Sequence, residues 1–185
     1  MRHKSYQTAL ILIISLLTGY FGIIVDIHRL EESCYLTNSC LNTQSNAAWL
    51  GVDWVNEKHS TQELETLVYQ LNERKIRHVY VFVSYLKPDG RFNQTYSTAV
   101  DLTHTLHTTD SSLDVQAWIG LPLKDSRGLG YIDLTDEATR RQVVDFCREL
   151  VQNMGFDGIH LDPEPVVSGD PTLLTLLDQI RQGIG

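Results

Sequence analysis

Phe156-Asp157-Gly158-Ile159-His160-Leu161-Asp162-Pro163-Glu164-Pro165 is the stretch on which the reading of this chain turns. It opens apolar and closes in acids and prolines, as a strand running out into a loop does. Successive side chains of a strand face opposite ways, so His160, Asp162 and Glu164 share one face at the C-terminal end. Asp157 is out of phase with them and, with Gly158 beside it, is expected to support the backbone. In parallel α/β sheets that end of the strand is where active sites form. Two carboxylates two residues apart in a cleft repel each other, so that one keeps its proton near neutral pH while the other stays ionised. Such a pair can protonate a leaving oxygen and stabilise positive charge. The same residues also suit a plain acidic turn at the rim of a sheet.

Upstream, the chain repeats strand–helix units. Residues 48–54 (AWLGVDW) read as a short buried strand. Ser60 then caps a helix, with Glu63 three residues on as a capping box and Leu64, Leu67, Val68 and Leu71 as its apolar stripe. Residues 79–85 (VYVFVSY) form a second strand, followed by a turn at Lys87-Pro88-Asp89-Gly90 and a helix over 96–106. Residues 115–121 (VQAWIGL) form a third strand. Thr135 opens a third helix, with Val143, Val144, Phe146, Cys147 and Leu150 on its apolar side. The fourth strand is expected over 155–161, and Asp170-Pro171 opens the fourth helix, with Pro at its first turn. Ala48-Trp49-Leu50-Gly51-Val52 is echoed two units later by Ala117-Trp118-Ile119-Gly120-Leu121.

Four alternating βα units imply an α/β fold with a parallel sheet covered by helices. An open doubly wound sheet and part of a closed (β/α)₈ TIM barrel both satisfy the pattern. No glycine-rich dinucleotide fingerprint follows the first strand, where Asp53-Trp54-Val55-Asn56 stands instead.

The chain has 185 residues, 15 Lys and Arg against 23 Asp and Glu, and a net charge of −8. The acid excess argues against a nucleic-acid partner, because phosphate binding needs a basic face. Three cysteines make no disulfide framework. Residues 5–25 carry no charge and, as a helix, span ~31 Å, about the hydrocarbon thickness of a bilayer. Arg2 and Lys4 precede the stretch, which places the N-terminus in the cytoplasm. A cleaved signal peptide is the competing reading, but Gly19-Tyr20-Phe21-Gly22 is a poor cleavage site. The expected domains are therefore 1–26, a cytoplasmic tip and transmembrane signal anchor; 27–46, a polar stem in which Cys34 and Cys40 are free or paired; and 47–185, a partial (β/α) barrel outside the cytoplasm.

The segment 157–164 resembles the DxxDxDxE signature of the chitinase-like glycoside hydrolase family 18. Asp157, Asp162 and Glu164 fall on three of its four acidic positions, Gly158 is also in place, and His160 stands where the family has its middle Asp. Gly155-Phe156-Asp157-Gly158-Ile159 is similar to related glycosidase barrels outside that family. The resemblance implies a glycosidase (β/α)₈ barrel, of which this chain holds the first half, acting on an extracytoplasmic polysaccharide or glycan. It implies that Glu164 protonates the glycosidic oxygen. It also implies that Asp162 orients a 2-acetamido group whose carbonyl attacks the anomeric carbon. A neutral His160 cannot share a proton with Asp162 as a second carboxyl does, and a charged one would hold Asp162 ionised. Either the acid–base cycle is altered or the substrate is not an N-acetyl sugar.

Asp53 and Trp54 after the first strand and Tyr85 after the second are candidate sugar contacts; Lys124 and Asp125 after the third are further strand-end candidates. An inactive carbohydrate-binding relative is the alternative function. A metal-dependent hydrolase is a lesser one, because positions i, i+2 and i+4 spread over ~13 Å of strand and cannot meet one ion without a bulge. No metal or other cofactor is expected. A half barrel would leave strand edges and its inward face uncovered, which a homodimer of half barrels would repair. Residues 5–25 are expected to keep the protein in the membrane fraction; release as a soluble chain with a new N-terminus beyond residue 25 would overturn the anchor.

Overall fold

The computed structural model describes residues 46–125, 127–166 and 168–185. The expected anchor at 5–25, all of the expected stem (27–46) but its last residue, and Cys34 and Cys40 lie outside these residues; Asn46 is the first residue of a strand.

Four strands alternate with helices: β1 (Asn46–Leu50), α1 (Asp53–Asn56), α2 (Thr61–Glu73), β2 (Ile76–Tyr85), α3 (Ala99–Thr109), β3 (Asp114–Pro122), α4 (Glu137–Met154), β4 (Gly158–Glu164) and α5 (Pro171–Ile184). All neighbouring strands are parallel, and their order in the sheet is their order in the chain, β1-β2-β3-β4. A doubly wound sheet reverses its strand order at a switch point. This one does not, which selects the barrel-type winding from the two architectures the sequence allows.

One face of the sheet is apolar and covered. Val79, Val81 and Val83 of β2 and Val115, Ala117, Ile119 and Leu121 of β3 are completely or almost completely buried. They share a core with Leu64, Leu67, Val68 and Leu71 of α2, Leu102 and Leu106 of α3, Val143, Phe146 and Leu150 of α4, and Leu176 and Ile180 of α5. Cys147 belongs to the same core, and burial pushes its thiol up to about 12.

The helix starts follow their capping chemistry. Ser60 accepts from the Glu63 backbone while the Glu63 carboxylate takes the Ser60 N–H, closing the capping box. Asp136 caps α4, one residue beyond the expected Thr135, and Asp170 caps α5 ahead of Pro171.

Three expectations shift. The first strand ends at Leu50, and Asp53 and Trp54 lie in the short helix α1 instead of the strand. Nor is β1 buried, since only Leu50 of it is fully covered; among the described residues it is an edge strand. The fourth strand begins at Gly158, three residues later than the pattern suggests. Gly155 instead ends α4 in a left-handed conformation (φ 76°). A β-carbon there would sit 3.1 Å from the Thr103 hydroxyl, which is itself bonded to the Met154 carbonyl at 2.6 Å. The delay moves Asp162 and Glu164 from a loop into the strand proper.

At the opposite rim, Asp110 ties the starts of β2 and β3 together. Its carboxylate accepts from the Ser112 hydroxyl and backbone N–H and pairs with Arg77 at 3.2 Å. These bonds, those from Ser112 foremost, hold its pKa down at about 2. A carboxylate depressed in the folded state adds stability that is complete above its unfolded value near ~3.9 and is lost as pH falls towards about 2. With solvent screening the loss is about 1 kcal/mol. Thermal melts between pH 5 and pH 2 should show this decrement in the native chain and a smaller one in Asp110→Asn; equal slopes would remove Asp110 from the account.

Candidate functional site

The face of the sheet away from the helices carries the candidate residues of the fourth strand. In β4 it presents His160, Asp162 and Glu164; in β3 Gln116, Trp118 and Gly120; in β2 Tyr80 and Phe82; in β1 Trp49. Register sets their neighbours: Trp49 lies beside Tyr80, Phe82 beside Trp118, Trp118 beside His160, Gly120 beside Asp162 and Pro122 beside Glu164.

The middle of this face is aromatic. The His160 ring lies on Tyr80 with centroids 4.4 Å apart, and Trp49 and Trp118 present themselves edge-on to it at 6.4 and 6.3 Å. Trp49 also meets Tyr80 at 5.2 Å and Phe82 meets Trp118 at 4.9 Å, within the usual range of paired rings. Trp49 and Trp118 occupy the same place in the echoed pentapeptides of β1 and β3. In a barrel, alternate strands fill a common layer. These two tryptophans flank His160 in that manner.

Above the aromatic layer stand the two acids. Trp118 Nε1–H donates to Asp162 Oδ2 at 3.1 Å, and among the described residues it is the one side-chain donor to that carboxylate. Asp162 is half-buried. Glu164 is exposed at the strand end, and its backbone carbonyl accepts from the Leu123 N–H at 2.7 Å. Gly120 pairs with Tyr85 on one side and Asp162 on the other, and its lack of a side chain lets Tyr85 come close, since a β-carbon there would lie 3.3 Å from the Tyr85 β-carbon. The structure thus brings Tyr85 to the same rim as Asp162. It does so through a bulge in β2: the register slips between Phe82 and Ser84, Val83 and Ser84 are both fully buried, and Tyr85 turns to the aromatic face.

Asp157 and Gly158 lie at the other end of β4. The Asp157 carboxylate accepts the Val115 N–H at 2.7 Å and the His107 Nε2–H at 2.8 Å, while its own N–H donates to the Val115 carbonyl at 2.9 Å. Gly158 packs against Gln116.

The remaining candidates are not gathered at the acids. Trp54 stacks on His59, with centroids 4.6 Å apart. Both line an open cavity of about 540 Å³ with Ser60, Glu63, Thr66 and Gln70, none of them on β4. Asp53 is exposed, and its carbonyl accepts from His59. Asp125 is spent on its own loop, taking Arg127 Nε–H and the N–H groups of Arg127 and Leu129, which lower its pKa. Lys124 bridges to Ile132 through its backbone. Among the described residues, no three His, Cys, Asp or Glu side chains converge as a metal-ligand set; His160 leans on Tyr80 instead.

Sequence reasoning passed over Trp49, Tyr80, Phe82 and Trp118 as site residues. The repeated Ala-Trp-x-Gly was the available signal, because it puts a Trp at the same phase of two alternate strands.

No family profile and no characterised relative matches this chain. Solved structures do match. A family GH18 chitinase from Cycas revoluta, in a complex with allosamidin, is 19% identical with a TM-score of 0.51, over 75% of this chain and 40% of its own. The spore cortex-lytic enzyme SleL of Bacillus cereus is 13% identical with a TM-score of 0.54, over 76% of this chain and 32% of its own. A chitinase from Bacteroides thetaiotaomicron is 15% identical with a TM-score of 0.52, over 72% of this chain and 41% of its own. The chain thus spans about two fifths of the two chitinases and about a third of SleL. At such identities the likeness is one of fold: four parallel βα units with the architecture of a partial TIM barrel, as in GH18 chitinases and related glycosidases.

Proposed function

We propose that this chain is a glycoside hydrolase-like protein whose four βα units supply the acid-bearing part of a barrel that hydrolyses glycosidic bonds. The observation that carries the reading is the placement of Asp162 and Glu164 on one face at the C-terminal end of β4, within a fold shared with chitinases. Glu164, exposed at the rim, is the proton donor to the glycosidic oxygen. Asp162, one step down and hydrogen-bonded, stabilises the positive charge that develops at the sugar. The sugar binds at the rim where Tyr85 and Asp162 flank Gly120, and aromatic side chains suit its apolar face. The substrate class is an extracytoplasmic polysaccharide or glycan. Residues 5–25 anchor the protein in the membrane with the N-terminus inside and the barrel outside.

The fold neighbours include a chitinase mutant in complex with (GlcNAc)4, which makes N-acetylglucosamine oligomers the first substrates to try. In an active preparation Glu164→Gln should lose roughly 10²–10⁴-fold in rate, the contribution of a general acid; near-normal turnover would move the acid elsewhere.

One observation favours a second reading, an inactive carbohydrate-binding relative: the aromatic face is open, with Trp49 58% exposed. Saturable oligosaccharide binding without hydrolysis would select it. The open face also bears on assembly. With a two-fold axis along the barrel, β4 of one copy would lie parallel to β1 of another, satisfying both edges. The full chain should then have the mass of a dimer in light scattering, whereas a monodisperse monomer would eliminate the paired half barrel.

A further inference from the structure

We propose that Trp118 is the positioning residue of this site, holding Asp162 through a hydrogen bond that takes the place of any proton shared with His160. The consequence for catalysis rests on the glycosidase reading above; the contact does not.

Residue 160 is Asp162's neighbour on the same strand face, one pleat below, and so is the natural candidate to orient it. The structure gives that imidazole another occupation. It lies over Tyr80 and is fenced by the edges of Trp49 and Trp118. Among the described residues it makes no hydrogen bond to Asp162, whereas Trp118 does. Trp118 pairs with His160 in the β3–β4 ladder, and its indole reaches one step up, past the missing side chain of Gly120, to the carboxylate beside it. Phe82 at 4.9 Å closes the other side of the indole.

The chemistry of this donor differs from that of a carboxyl or an imidazole. An indole N–H only donates and does not titrate in the working range of a protein. The Asp162 oxygen that faces it therefore stays an acceptor and cannot pass a proton downwards. Its charge stays at a fixed place beneath the reacting sugar, preorganised for a cationic transition state. Glu164, with no side-chain partner among the described residues, is left as the group that exchanges protons.

The test uses the full chain labelled with ¹⁵N. It has three tryptophans, so three indole N–H resonances are expected, assigned with Trp49→Phe and Trp54→Phe. Asp162→Asn should shift the Trp118 resonance and leave those of Trp49 and Trp54 in place. In a preparation that hydrolyses N-acetylglucosamine oligomers, Trp118→Phe should lower kcat about 10–100-fold with KM within about twofold, the pattern of a misplaced catalytic group. His160→Ala should leave the Trp118 resonance responsive to Asp162→Asn. A Trp118 resonance indifferent to Asp162→Asn overturns the proposal, and needs only that variant should Trp118→Phe fail to fold. Wild-type kcat in a folded Trp118→Phe overturns it as well. A responsive resonance in a chain that hydrolyses no glycan supports the contact and counts against the glycosidase reading alone.

Discussion

The register of β4 against β3 is the constraint on which the site depends. It is fixed where the two strands begin. Asp157 and Val115 exchange a pair of hydrogen bonds, one from backbone to backbone and one from the Val115 N–H to the Asp157 carboxylate, and His107 at the end of α3 holds the same carboxylate. From that clamp, Gln116 falls beside Gly158 and every later pair follows, up to Pro122 beside Glu164. A slip of one residue would turn His160, Asp162 and Glu164 into the helix-packed core and bring Ile159 and Leu161 to the open face. The burial of Val115, Ala117, Ile119 and Leu121 on the other side makes such a slip costly, because a buried charge needs partners this core does not offer.

With the register set, the two faces of the sheet divide the labour. The helix side is a close-packed row of valines, leucines and isoleucines, and it carries the stability. The other side is built of rings and acids. Trp49, Tyr80, Phe82, Trp118 and His160 form one connected aromatic layer, and Asp162 and Glu164 stand above it at the C-terminal end of the strands. In (β/α) barrels side-chain layers fill the interior and active sites lie at the C-terminal ends of the strands, which is where Asp162 and Glu164 stand.

At His160 the contacts run across the sheet. An acid at that place would compete with Asp162 for protons and could not lie comfortably on Tyr80. An imidazole can lie against that ring, and His160 does, tilted by 35° with centroids 4.4 Å apart. The carboxylate then takes its hydrogen bond from the neighbouring strand, from Trp118. The site is thereby tied across β3 and β4 instead of along β4 alone.

Much of this was legible in one dimension because it depends on local periodicity and capping. The period-2 alternation of β4 is enough to put His160, Asp162 and Glu164 on one face and Asp157 out of phase with them. The Ser60 and Glu63 box and Asp170-Pro171 marked helix starts through hydrogen bonds made within a few residues. Long-range geometry supplied the rest. Strand order, which separated the barrel winding from the doubly wound sheet, is a property of pairing between segments distant in sequence. Tyr85 reaches the rim only because β2 slips against β3 at Val83, and simple alternation would have sent it to the helix side. Trp54, equally plausible from its place after a strand, was drawn off by a stack with His59. The partner of Asp162 could not be read at all, since Trp118 lies 44 residues away and the two meet only through the β3–β4 ladder, across Gly120. Alternation and caps are set by the backbone's own repeat, whereas register, bulges and cross-strand donors are set by which surfaces pack together.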